Sequence, residues 1–313
     1  MVKLVNMKKV VSLAVGVALT VSLAACGSGT KNDNVGNNNL SGKIVIDGSS
    51  TVYPVTSAVA EEFQNEQSGV EVSVAMSGTG GGMKKFTAGE IDICDASRKI
   101  KPEEVEAAKA KGIDYVELEI AYDGISVVVN KDNTWAESIT VDELNKIWGK
   151  DSKVKTWKEV NPAWPDEPIK LYGPGTDSGT FEFFTEKINK KAKESRTDYT
   201  PSEDDNVLVK GIAGDKDAMG YFGFAYYEEN QDSLKVLKID SGKGPIEPTA
   251  KTIKDKTYSP LSRPLYIYVN KSKLNQSPVK EFVKFYLDNA EQLTKEVGYI
   301  PLESYDAEKA KLK

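Results

Sequence analysis

The chain has 313 residues, 41 Lys and Arg against 47 Asp and Glu, and a formal net charge of −6. It contains no histidine. That excludes Ser-His-Asp and Cys-His catalysis and the His-based zinc sites, while the acidic balance argues against a broad nucleic-acid or anionic-lipid surface.

The first segment reads as a leader. Met7-Lys8-Lys9 precedes an apolar run over 10–25, short of the roughly 20 residues that a membrane span needs. The run closes on Leu23-Ala24-Ala25-Cys26-Gly27, which resembles a bacterial lipobox. The expectation is cleavage before Cys26 and lipid on its thiol. Removing 1–25 takes away three Lys and no acid, so the mature chain is more acidic still. Residues 27–40 are rich in Asn, Gly, Ser and Thr with no apolar period, as in a flexible tether. After lipidation Cys94 is the one remaining cysteine, so no intrachain disulfide is expected. It reads as a small buried hydrophobe.

About 270 residues follow the tether, room for two domains of ordinary size. Strand 43–47 leads through Gly48-Ser49-Ser50-Thr51 into a helix over 54–66, with Ser50 or Thr51 as its N-cap and Pro54 in the first turn. Alternation at Val70, Val72, Val74 and Met76 marks a strand. Ser77-Gly-Thr-Gly-Gly-Gly82 and a short helical run come next, then strand 91–94, helix 102–111 and strands 115–120 and 125–129. Helix 141–148 and strand 169–172 precede Gly173-Pro-Gly-Thr-Asp-Ser-Gly-Thr180, which opens a helix over 179–193. Helix 202–212, strands 219–224, 234–239 and 265–269, and helices 278–289 and 290–297 complete the list. Such alternation predicts an α/β fold with largely parallel sheets and helices on both faces. No internal repeat is apparent.

Apolar segments 121–130 and 260–270 read as crossings between two lobes. They predict a discontinuous first lobe (42–122 plus 266–313), an inserted second lobe (123–265) and a ligand cleft between them. Three Gly- and hydroxyl-rich turns at helix starts offer unpaired N–H groups and the positive end of the helix dipole. One such turn is ordinary punctuation; three in one chain suit a compact, multiply charged oxyanion. No residue of the 173–180 turn is itself cationic. Only Arg98, Arg196 and Arg263 are arginines, and each follows a serine. Arg98 and Arg196 read as forked ligand contacts, and Arg263, entering a strand, as a structural salt-bridge residue.

With these motifs in order, Asp47-Gly-Ser-Ser-Thr-Val-Tyr-Pro54, Ser77-Gly-Thr-Gly-Gly-Gly82, Asp92-Ile-Cys-Asp-Ala-Ser-Arg98, Gly175-Thr-Asp-Ser-Gly-Thr180, Ser202-Glu-Asp-Asp-Asn206 and Ala218-Met-Gly-Tyr-Phe-Gly-Phe224, the chain resembles the extracytoplasmic phosphate-binding proteins of phosphate-specific ABC transporters. The resemblance runs from about Ile44 to the C-terminus. It implies a two-lobed type II periplasmic-binding-protein fold, inorganic phosphate as ligand, permease subunits as partners, a lipid-anchored monomer outside the cytoplasmic membrane, no nucleic-acid partner, no cofactor and no enzymatic activity. It assigns phosphate to Ser50 and Thr51, to Thr79 and Gly80, and to Ser178, Gly179 and Thr180. Many family members carry an Asp after Ala-Ser, where Arg98 stands, and an Arg shortly before Ser-Gly-Thr, where Pro174 stands. The guanidinium would then come from Arg98 with Arg196, and the acceptor for the phosphate proton from Asp123 or, second, Asp177. A receptor for sulfate or another tetrahedral oxyanion, or a surface interaction protein on the same scaffold, are the alternatives.

Overall fold

The structure, a computed structural model, describes residues 40–313; the leader, Cys26 and nearly all of the tether lie outside them. Twelve strands occur among the described residues: β1 (Gly42–Gly48), β2 (Val70–Met76), β3 (Ile93–Ala96), β4 (Tyr115–Asn130), β5 (Ser138–Thr140), β6 (Lys170–Pro174), β7 (Thr200–Ser202), β8 (Ala218–Gly223), β9 (Leu234–Val236), β10 (Lys238–Asp240), β11 (Pro245–Ile246) and β12 (Ser262–Asn270). Nine form one sheet in the order β2-β1-β3-β12-β4-β8-β6-β7, with β9 added to β4; β11, β10 and β5 make a small second sheet.

The expected parallel pairing holds at both ends of the large sheet, in β1–β2, β1–β3, β6–β7 and β6–β8. It fails in the middle. There β12 runs antiparallel to β3 and β4, and β4 runs antiparallel to β8 and β9. The cause is β4 itself. Segments 115–120 and 125–129, expected as two strands, are one continuous strand. Its first part pairs with β12 and its last part with β8, so the chain enters the other half of the molecule without a turn.

Each half has its own apolar core. One gathers Ile44, Val59, Phe63, Leu118, Ile267, Phe282 and Tyr286; the other gathers Val127, Trp148, Trp157, Phe183, Phe184, Tyr221 and Tyr258. Helix Tyr53–Glu66 buries Val55, Val59 and Phe63 along one stripe, and Phe63 meets Phe282 edge-on at 5.3 Å. Burying such a side chain contributes about 1.5–3 kcal/mol. Phe282 belongs to helix Ser277–Glu296, a single helix where two were expected. Its apolar positions keep their 3.6-residue spacing through Ala290 and Leu293. Helix Gly179–Ile188 ends five residues earlier than expected. Lys190 and Lys193 take left-handed backbone angles beyond it, and the Thr185 hydroxyl accepts from the Lys193 N–H at 2.8 Å. Cys94 is buried, as expected.

Candidate functional site

The carboxyl ends of β1, β2 and β6 carry the three Gly- and hydroxyl-rich turns. Residues from all three line one cavity of about 610 Å³. The first turn contributes Ser49, Ser50 and Thr51, the second Ser77 to Gly81, and the third Gly179.

The first turn is fixed by its own backbone. The Ser49 N–H donates to the Asp95 carbonyl at 2.9 Å and the Tyr53 N–H to the Ser49 carbonyl at 3.0 Å. Neither Ser50 nor Thr51 caps the helix that follows. Val52 occupies the N-cap position without a side-chain bond, leaving both hydroxyls to the cavity wall. In the second turn the glycine run is the first turn of a helix (Gly78–Ala88) rather than a loop before it. A Cβ on Gly82 would lie 2.5 Å from the Gly48 Cα; only glycine lets the helix start sit against the end of β1. Asp47 Oδ1 accepts the Ser77 N–H at 2.9 Å. Thr79 Oγ1 accepts the Ser97 N–H at 3.1 Å, tying this turn to the segment after β3. In the third turn Ser178 is the helix cap, its Oγ accepting the N–H groups of Thr180 and Phe181 at 3.1 and 3.4 Å. Ser178 and Thr180 are not part of the cavity wall, whereas Gly179 is.

The three arginines divide differently from the expectation. Arg196 is 4% exposed and lies away from this cavity. It forks onto Asp198 at 2.6 and 2.8 Å and donates to the Ile147 and Val154 carbonyls, each at 3.0 Å. Those bonds occupy four of its five N–H donors, and the fork, with Lys155, holds Asp198 well below the usual carboxylate range. Arg98 lines the cavity but forks onto Glu104 at 2.7 and 2.8 Å.

Arg263 is on the cavity wall. It reaches the cavity from β12, so the third turn does have a cation beside it, brought from far along the chain. Its Nε donates to Asp123 Oδ2 at 3.0 Å, and Nη2 donates to Thr51 Oγ1 at 2.6 Å and to the Gly179 carbonyl at 3.5 Å. Its guanidinium carbon lies 3.7 Å from the centre of the Phe183 ring, a stacked cation–π contact. A guanidinium has five N–H donors; these bonds use Nε and Nη2, and the two on Nη1 remain.

Asp123 is 1% exposed and lies behind Arg263 rather than in the wall. Burial pushes its carboxyl up, against the pull of Arg263, and Oδ1 has no partner among the described residues. Asp177 is exposed and off the wall. The charged side chains on the wall are Arg98, Lys99, Lys187, Lys256 and Arg263 against Glu182 and Glu186. The local excess is positive although the chain is acidic, because contact-range groups outweigh screened distant charge. Among the described residues no group of three or more His, Cys, Asp or Glu is placed to hold a metal, and no helix is long and apolar enough to cross a membrane.

Two halves with donor turns at the carboxyl ends of their strands, facing one cavity, define a solute-binding architecture. A family model described as the PBP superfamily domain matches residues 30–290, and the chain belongs to that family. Protein SphX of Synechococcus elongatus is 50% identical over 262 residues, 83% of this chain and 77% of that protein. The phosphate-binding protein PstS of Staphylococcus saprophyticus is 41% identical over 304 residues, 96% of this chain and 92% of its own. A solved structure of a possible phosphate binding protein from Planctomyces limnophilus superposes with a TM-score of 0.84 at 54% identity, covering 87% of this chain and 98% of that one. The fold is the two-lobed type II periplasmic-binding fold.

Proposed function

We propose that the chain captures inorganic phosphate outside the cytoplasmic membrane and delivers it to an ABC import permease, without catalysing a reaction. The observation that carries this reading is the meeting of three donor turns with Arg263, whose Nη1 makes no hydrogen bond among the described residues, on the wall of one cavity. A tetrahedral anion needs many donors converging from several sides, and charge-assisted bonds are the strong ones. The name of the PstS relative, a phosphate-binding protein, points the same way.

In this reading Ser50, Thr51, Thr79, Gly80 and Gly179 supply hydroxyl and N–H donors, and Ser178 and Thr180 shape the helix start that presents Gly179. Arg263 supplies the guanidinium that Arg98 and Arg196 were expected to give, and Arg98 adds a positive field from the rim. Lobe one comprises 42–122 plus 266–313 and lobe two 123–265. Cys26 carries the lipid that tethers a monomer to the membrane surface. A cavity volume of about 610 Å³ exceeds the space of a bare phosphate and leaves room for water beside it.

One observation favours a second ligand, sulfate or another tetrahedral oxyanion: Asp123 lies behind the wall, not in it. Phosphate at neutral pH carries a proton and needs an acceptor, whereas sulfate does not. Glu182 and Glu186 are the carboxylates on the wall. Retention of radiolabelled phosphate by the full chain, challenged with unlabelled sulfate, tests the proposal. Retention that only phosphate displaces supports it, and equal displacement by sulfate selects the second ligand. Absence of retention would remove both.

A further inference from the structure

We infer, on the reading of the cavity as a phosphate site, that Asp95 is a positioning residue for the first donor turn whose buried carboxyl weakens anion binding there when it gives up its proton. Asp95 grips the turn at two points. Its backbone carbonyl accepts the Ser49 N–H at 2.9 Å, and its Oδ1 accepts the Thr56 hydroxyl at 3.0 Å. Ser50 and Thr51, on the cavity wall, lie in the chain between those two anchors. The Thr56 hydroxyl also meets the Tyr286 hydroxyl at 3.1 Å, so the grip extends to helix Ser277–Glu296. The fit between β3 and the end of β1 is close: a Cβ on Gly48 would lie 2.1 Å from the Asp95 carbonyl oxygen.

Two carboxyl groups stand at these neighbouring strand ends, and their surroundings separate them. On β1, Asp47 pairs with Lys85 of helix Gly78–Ala88 and accepts the Ser77 N–H; against its burial, these partners hold it below the usual carboxylate range. Asp95 is fully buried, its Oδ2 has no partner among the described residues, and its one side-chain bond comes from a neutral hydroxyl. Burial, opposed by Thr56 and aided by Asp47, pushes it up to about 8. The other groups around it leave it uncompensated. The Cys94 thiol on its own strand and the Tyr286 phenol are both pushed up by burial and stay neutral, and β12 sets Ile267 opposite it. A neutral Asp95 adds no charge beneath the turn. An ionised one places a buried negative charge, with no cation to offset it, under donors that must hold an anion. The coupling is reciprocal, so a bound anion also raises the pH at which Asp95 ionises.

Calorimetric phosphate affinities of the full chain, for the parent protein and Asp95→Asn at about pH 6 and about pH 9, on either side of the titration, test this. Asparagine keeps the shape and stays neutral, and the ratio of the two affinities cancels the titration of phosphate itself. The affinity of the variant relative to the parent should rise at least about fivefold from the lower pH to the higher, the lower end of ordinary coupling between sites. A purely structural role would change affinity by the same factor at both, so a ratio that stays flat or falls would overturn the inference. Should Asp95→Asn fail to fold, Thr56→Val decides. Losing the hydroxyl that favours the ionised form should move the alkaline fall in affinity to higher pH, and an unmoved profile would overturn the inference. Absence of phosphate binding by the parent at both pH values would overturn the phosphate reading itself, a result distinct from the others.

Discussion

Gly179 and Thr51 meet across the cleft so closely that a Cβ on Gly179 would lie 2.6 Å from the Thr51 hydroxyl and 2.9 Å from its backbone nitrogen. The second of these atoms belongs to the backbone and cannot swing aside. Glycine at the start of helix Gly179–Ile188 is therefore what lets one lobe's helix start touch the other lobe's turn. Gly179→Ala should hold the lobes apart and weaken phosphate binding by about 5- to 150-fold, the equivalent of the 1–3 kcal/mol that overpacking costs. The helix itself should survive, since alanine is the better helix former. Calorimetric affinity beside a thermal melt checks both halves of this expectation.

Arg196 has a structural role in this account. Removing it by Arg196→Ala strands the Ile147 and Val154 carbonyls and leaves Asp198 with Lys155 alone, at a cost of about 1–3 kcal/mol. A lower urea midpoint with phosphate affinity within about twofold of the parent is expected. A large affinity loss at unchanged stability would return Arg196 to the site.

Much of this was legible in the sequence. The strand–turn–helix units at 43–66 and 169–188 announced themselves through apolar spacing and punctuation, and their local chemistry suffices to form them. Val52 as N-cap was not legible, because the hydroxyls expected to cap are spent on the cavity and on Arg263. The crossing segment 121–130 was legible, but not its continuity with 115–120, which pairing with β12, Leu261 and Ile300 keeps extended. Arg263 forms the salt bridge and enters the strand as expected, but its place on the cavity wall was not legible. Its serine and proline neighbours are those of a strand entrance, and its importance comes from register with Asp123 and from lobe packing, both non-local. Three arginines in the whole chain were the available signal, and sequence alone could not rank them.

Asp95 gives a prediction in pH. It lies at the end of β3 beneath the first turn, accepts from the Thr56 hydroxyl at 3.0 Å through Oδ1, and has no partner for Oδ2. Burial, opposed by Thr56 and aided by Asp47, pushes its carboxyl up to about 8. The folded state therefore holds a proton that the unfolded state releases near pH 4. This stabilising contribution is fully present below about pH 4 and is lost as pH rises toward about 8, where it levels off. The full change is on the order of 5 kcal/mol. Asp95→Asn should remove that slope from the stability–pH curve measured by urea unfolding. An identical slope in the variant would contradict the assignment.

The most direct measurement is a pair of calorimetric titrations with phosphate, on the soluble form beginning at Gly27 and on Arg263→Gln, after stripping any bound anion. The account predicts tight binding by the parent and a loss of about 100-fold or more in the variant, within the 2–5 kcal/mol expected for breaking a buried charge-assisted contact. A melt would show that the variant remains folded. Phosphate bound equally by both proteins would contradict the central role of Arg263, and no heat from the parent would contradict the phosphate site itself.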